Sequence, residues 1–311
     1  METSLIGFAV LMFFIFFRVP LGVAMASVGV LGFAYVQVFE FNNPRGMDAA
    51  LNMVSQIAFE TGLSYSLSVV PLFVLMGNFI TEAGLSRQLY RAAYTCLGHF
   101  KGGLALSTVV SCGAFSAVCG SSMATASTMA KVAMPEMRKY KYADSLATGS
   151  IAAGGTLGIL IPPSVILVVY GIMTESDIGK LFIAGLLPGL IGIILYMLAV
   201  TVTVSLKPEL GPAAEKSSWS ERLSSIKDVW AICLLFAVVM GGIYLGVFTP
   251  TEAAGIGATG SFFITLIRGK MTVKSLVATL VSTVRTTAML FFLVMGAVLF
   301  SNFINVAGLP D

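Results

Sequence analysis

The sequence predicts an all-α polytopic membrane protein with a re-entrant helical hairpin and a broken helix at its centre. Three observations lead there. Mean hydropathy is +0.93, and 11% of the 311 residues are charged, where a soluble chain carries about 25%. Apolar runs long enough to form membrane helices alternate with short polar turns from end to end. Between Gly102 and Gly171 two such runs are interrupted by turn-forming residues, although an unpaired backbone group in hydrocarbon costs several kcal/mol. Interruptions of that kind persist where they line a cavity buried in protein.

In chain order, Leu5 to Phe17 is a short span with Glu2 ahead of it and no basic start or small-residue cleavage site, so it reads as a retained helix and not a signal peptide. Arg18-Val19-Pro20 turns the chain into a second span, Leu21 to Phe39. After the polar loop FNNPRGMD, Met53 to Thr81 is an apolar element marked by Glu60, Gly62 and Pro71, either one kinked helix or two pieces. Glu82 to Lys101 is amphipathic and carries Arg87, Arg91, His99 and Lys101, as expected of a helix lying flat at the interface. Lys180 to Leu206 is an uninterrupted span, and Lys207 to Asp228 is the one extended polar stretch. Val229 to Val247, Pro250 to Ile267, the basic loop RGKMTVK and a long element from about Leu276 to Val306 complete the chain. Four segments follow: 1–101, scaffold helices and amphipathic arm; 102–179, hairpin and broken helix; 180–228, connecting span and linker; 229–311, the start of a second repeat.

Basic residues give the orientation. Arg18, the 87–101 arm, the 138–141 cluster, the 207–227 linker and the 268–274 loop fall on one side, which the positive-inside rule makes cytoplasmic. The N-terminus is then outside, and the hairpin enters from the cytoplasm. An internal echo supports this. Val19-Pro20 with its small residues returns as Thr249-Pro250, and LFVLMGNFITEAGL returns loosely as FLVMGAVLFSNFINVAGL. The copies run in opposite directions, the inverted-repeat architecture of secondary transporters. The first copy continues past AGL into a hairpin and a broken helix; the second meets Pro310 and Asp311, so the reading expects a fragment or partial gene product lacking the second hairpin.

The chemistry concentrates at the interruptions. In GAFSAVCGSSMATASTMAKVAMPEM, Cys119-Gly120-Ser121-Ser122 separates two apolar arms of about fifteen residues, each too short for a bilayer of roughly 30 Å. The tip offers carbonyls from one arm and N–H groups at the start of the other, from Ser122 or Thr125 onward. Carbonyls suit a hard cation and N–H groups an anion. In GGTLGILIPPS, Pro162 and Pro163 lack N–H groups, which frees the oxygens of Gly158, Leu160 and Ile161. A substrate carboxylate is expected against Gly120, Ser122, Thr125 and Thr156. Each small residue taken alone is equally at home in tight helix packing; the pair of interruptions points to a site. Glu60, the one acid deep in an expected span, is read either as a carrier of a coupling proton or ion or as a structural group that pairs with a hydroxyl or lies near a helix end. Cys96, Cys112, Cys119 and Cys233 lack metal spacing, His99 is the only histidine, and no catalytic motif lies in the spans. An enzyme, an organic cofactor, a transition metal and a nucleic-acid partner are not expected.

These residues resemble the large membrane subunit of the tripartite ATP-independent periplasmic (TRAP) transporters. SVVPLFVLMGNFITEAGLS, the hairpin, and GGTLGILIPPSVILVVYGIMTESDIGKLFIAGLLPGL carry the likeness, which covers essentially the whole chain. The resemblance implies an elevator-type, sodium-coupled importer of organic anions such as C4-dicarboxylates or sugar acids. It also implies the bacterial inner membrane, a small four-helix membrane subunit and a periplasmic solute-binding protein. By the same resemblance, Cys119, Ser121, Gly158, Ile161 and Pro163 form a sodium site made largely of backbone carbonyls. An ion channel or a non-transporting scaffold subunit is the alternative.

Overall fold

A computed structural model describes residues 2–309, and among them every regular element is helical. The chain divides into two units, residues 1–65 with 284–311 and residues 66–283. The first contains α1 (Glu2–Phe16), α2 (Leu21–Tyr35), which continues as a π-turn over Val36–Glu40, and α3 (Gly46–Leu63). It also holds the C-terminal part of the last helix, α14 (Val273–Val306). Small residues let these backbones approach, as membrane helices require in the absence of a hydrophobic driving force between them. A Cβ on Gly29 would lie 2.6 Å from the carbonyl carbon of Leu299, and Gly296 faces the backbone of Gly22. Ser4 Oγ donates to the Ala307 carbonyl at 3.1 Å and fixes α1 against the end of α14.

The second unit begins with a 3-10 turn at Ser66–Ser68, then α4 (Val69–Glu82) and α5 (Leu85–Leu97). The apolar stretch 53–81 is therefore two pieces, the alternative that the sequence left open. The hairpin follows as α6 (Gly103–Cys119) and α7 (Ser122–Lys139), and the broken helix as α8 (Asp144–Thr156), a 3-10 turn at Leu157–Ile159, and α9 (Val165–Met173). The hairpin arms, 17 and 18 residues, are longer than read from the sequence but at 1.5 Å per residue still fall short of a full bilayer crossing. Next is α10 (Ile178–Leu206), then α11 (Trp219–Asp228), α12 (Trp230–Tyr244) and α13 (Pro250–Ile267). The stretch read as a polar linker thus contains a helix. Ser218 and Glu221 form a reciprocal capping box at its start, which offsets the weak helix propensity of its serines.

α4 and α13 pack side by side. Gly257 faces the Met76 sulfur and Thr265 Oγ1 donates to the Phe79 carbonyl at 3.0 Å, while Asn78 Nδ2 donates at 2.9 Å to Thr283 Oγ1 on the N-terminal part of α14. Among the described residues three helices, α2 with its π-turn, α10 and α14, are each long and apolar enough to cross a membrane. Their abundant exposed Leu, Ile, Val and Phe side chains are what a lipid-facing surface requires, and the protein is a multi-pass membrane protein.

Candidate functional site

α6 is almost wholly buried and carries four hydroxyl residues. Ser107, Thr108, Ser111 and Ser116 each return a hydrogen bond to the carbonyl four residues back, at 2.6 to 2.8 Å. The helix therefore satisfies its own polar groups and packs as an apolar rod. It ends at Gly120, whose φ of 65° is the left-handed cap that glycine adopts without steric cost. Ser121 then turns extended and caps α7, its Oγ accepting from Ala124 N–H at 3.4 Å and its carbonyl accepting from Thr125 N–H at 3.0 Å.

The second break meets this tip. Pro162, four residues after Gly158, has no N–H to give it, and Pro163 likewise fails Ile159. Ser164 Oγ supplies the missing donor to the Ile159 carbonyl at 2.8 Å and, by accepting from Leu167 N–H at 3.4 Å, also caps α9. The carbonyls of Gly158, Ile161 and Pro163, and that of Cys119 on the hairpin, accept no backbone hydrogen bond. A Cβ on Gly158 would lie 2.8 Å from the Ser121 carbonyl oxygen, and one on Gly120 would lie 2.7 Å from the Pro163 oxygen. Val165 N–H donates to the Gly120 carbonyl at 3.3 Å and ties the two interruptions together. α4 closes one flank, with Gly77 against the Cys119 backbone.

The sequence-derived residues are thus distributed as follows. Cys119, Gly120, Ser121, Ser122, Gly158 and Pro163 meet where the tip abuts the break, and Ile161 lies buried in the same turn. Of the five oxygens expected to hold a cation, the Ser121 carbonyl is engaged by the Thr125 N–H and uses one of its two lone pairs there. Thr125 is fully buried, one turn into α7. Its Oγ1 has no oxygen or nitrogen partner, and the polar group beside it is the Cys119 thiol, a weak hydrogen-bonding group. A buried hydroxyl left unpaired costs about 1–3 kcal/mol, so this atom is poised for a partner. Thr156 is placed differently: its hydroxyl donates to the Ala153 carbonyl at 2.7 Å and pairs with Tyr196 of α10 at 2.9 Å. Tyr196, forty residues further along the chain, gave no signal in the sequence.

Among the described residues no group of three or more His, Cys, Asp or Glu could hold a metal ion, and the four cysteines are free. Oxygens of the backbone and of hydroxyls are the donors at the break, a set suited to a hard monovalent cation and poorly suited to a soft transition metal. In the first unit Glu60 is exposed and accepts from Gln56 Nε2 at 2.9 Å, three residues before the end of α3.

The family model described as "Tripartite ATP-independent periplasmic transporter, DctM component" matches residues 8–311. The C4-dicarboxylate TRAP transporter large permease protein DctM of Pseudomonas aeruginosa is 36% identical over 287 residues, 92% of this chain and 65% of that protein. The sialic acid TRAP transporter large permease protein SiaM of Vibrio cholerae is 33% identical over 249 residues, 80% of this chain and 58% of the relative. The ectoine TRAP transporter large permease protein TeaC of Halomonas elongata is 32% identical over 314 residues, covering 100% of this chain and 69% of the relative. Among the C4-dicarboxylate relatives the chain spans between 48% and 65% of their length.

Proposed function

We propose that this chain, which belongs to the DctM component family of the tripartite ATP-independent periplasmic transporters, acts in the inner membrane as the large permease part of a sodium-coupled importer of organic anions. Relatives in the family are permeases for C4-dicarboxylate, sialic acid and ectoine, and a small carboxylate-bearing solute is the class this reading assigns. Delivery by a periplasmic binding protein and assembly with a small membrane subunit belong to the same proposal.

The observation that carries it is the contact between hairpin tip and helix break, where four carbonyls lacking backbone partners border a left-handed glycine and a fully buried orphan hydroxyl. Cys119, Ser121, Gly158, Ile161 and Pro163 would hold a sodium ion through main-chain oxygen, so no carboxylate need be buried in the membrane. Sodium supplies a positive charge next to the start of α7. There the N–H groups of the first turn and the Thr125 hydroxyl would orient a substrate carboxylate. With the ion bound, the anion meets a neutralised site; without it, the free carbonyls repel the anion. This differential is what couples the two solutes. Hairpin and broken helix, tied through Gly120 and Val165, would then move as one body in the elevator manner.

The test is uptake of labelled C4-dicarboxylates and sugar acids by membranes that contain the protein with its small subunit and binding protein. Uptake should rise with a sodium gradient and vanish in potassium. Transport indifferent to sodium would overturn the reading.

A further inference from the structure

Three stretches far apart in the sequence deliver basic side chains to one cavity in the second unit. Arg87 and Arg91 come from α5, Lys131 from α7, and Arg268 and Lys270 from the end of α13 and the turn beyond it; together they line a space of about 600 Å³. A neighbouring cavity of about 430 Å³ shares Arg87, Arg91 and Lys131 and adds Tyr90, Tyr94 and Pro135. The carboxylates on these walls are Glu82 and Glu136. Among the described residues the one ion pair is Arg138 with Asp144, so none of the five cations has a carboxylate within ion-pair distance. Arg268 is fixed in place, its Nη1 donating to Gln88 Oε1 at 2.7 Å and its Nη2 to the Asp228 carbonyl at 3.4 Å. Like charges converging on one space repel unless an anion lies between them.

The surroundings identify the anion. These residues belong to the cation-rich ends that the positive-inside rule places at the cytoplasmic surface of the membrane. Immediately before Arg268, Leu266 is 48% and Ile267 is 83% exposed, on a helix of a membrane protein where such apolar side chains face acyl chains. α5 buries Leu85, Leu89 and Ala93 and leaves Arg87 and Arg91 exposed, the habit of a helix lying in the headgroup layer. A ligand here meets cations on one side and hydrocarbon on the other.

We propose that this basic cavity between α5, α7 and the α13–α14 turn is a binding site for the headgroup of an anionic phospholipid, whose acyl chains run along Leu266 and Ile267. The site is separate from the hairpin tip and does not depend on what the protein carries. Because Lys131 lies on the hairpin and Arg87 and Arg91 on the arm, a bound phosphate would bridge the two elements.

The full chain in phosphatidylcholine nanodiscs is titrated with cardiolipin or phosphatidylglycerol, and retained lipid is read by native mass spectrometry together with Tm. Anionic lipid should be retained and should raise Tm, whereas added phosphatidylcholine should do neither. Combining Arg87→Gln, Arg91→Gln and Lys131→Gln should weaken retention roughly fivefold per charge removed, on the order of a hundredfold in all. Lys139→Gln with Lys141→Gln, equally basic but outside the cavity, should leave it unchanged. Should the triple variant fail to fold, Lys131→Gln alone, at an exposed side chain, is expected to lose about fivefold. Equal retention of neutral and anionic lipid, or unchanged retention in the cavity variants, overturns the proposal. So does a Tm rise reproduced in full by inorganic phosphate, which would make the site one for a soluble anion.

Discussion

Gly158 is pressed against the peptide that joins Ser121 to Ser122: a Cβ added to it would stand 2.8 Å from both the carbonyl carbon and the oxygen of Ser121 and 2.9 Å from the Ser122 nitrogen. Those atoms are backbone and cannot swing aside. Gly158→Ala should therefore separate hairpin tip from helix break, at a cost of about 1–3 kcal/mol for an overpacked contact. Sodium-dependent uptake should fall by more than the loss of folded protein accounts for, with the sodium concentration for half-maximal rate raised. Gly149→Ala in α8, where no atom lies within 4 Å of the new methyl, is the control. It should keep transport and add about 0.5–1 kcal/mol of helix stability, read as a higher Tm in detergent.

Thr125 tests whether the orphan hydroxyl serves a ligand. Thr125→Val keeps the shape and removes a buried oxygen without a partner, so Tm in the absence of substrate should hold or rise. Loss of a hydrogen bond to a charged partner, about 1.5–3 kcal/mol, should lower uptake roughly 10- to 100-fold. Thr125→Ser should restore most of it. Normal uptake by Thr125→Val, measured with the same binding protein, would remove Thr125 from the site.

Both interruptions were legible because their residues act on the backbone at short range. Gly120 supplies a left-handed cap, Ser121 a side-chain cap, and Pro162 and Pro163 withdraw two donors at known offsets. What could not be read was the contact between them, since Gly158 and Ser121 are 37 positions apart and nothing local specifies their approach. For the same reason Tyr196 escaped notice as the partner of Thr156. The helix α11 did have a local signal, Ser218 with Glu221 three residues on, obscured by the polar composition around it. The division between α3 and α4 falls at Ser64 and Tyr65, away from Gly62 and Pro71, which drew attention to themselves as the breakers. Pro71 instead sits in the first turn of α4, where a missing N–H costs nothing.

Packing of α2 on α14 makes a separate prediction. Gly29 has the Leu299 carbonyl carbon and oxygen and the Phe300 nitrogen 2.6 to 2.7 Å from where its Cβ would be. Gly29→Ala should force the helices apart and destabilise the first unit by about 1–3 kcal/mol, seen as a lower Tm or earlier proteolysis within residues 1–65. Gly255→Ala, in open space on α13, should be neutral or slightly stabilising. Equal stability of the two variants would mean that α2 and α14 do not approach closely at Gly29.

Glu60 decides whether a carboxylate takes part in coupling. An acid that carries a coupling proton must be shielded from bulk solvent on one side of its cycle, and must change partners as the protein switches. Glu60 is exposed near the end of α3 and accepts from Gln56 one turn earlier. Such an i, i+4 pair contributes about 0.2–0.5 kcal/mol, so Glu60→Gln should alter stability little. Uptake measured from pH 5 to 8 should keep its sodium dependence and its pH profile, and its rate should stay within about twofold of the parent. If the variant loses transport or shifts the profile, the ion-coupling role returns to this side chain, and carbonyl oxygens alone do not account for the charge that moves with the substrate.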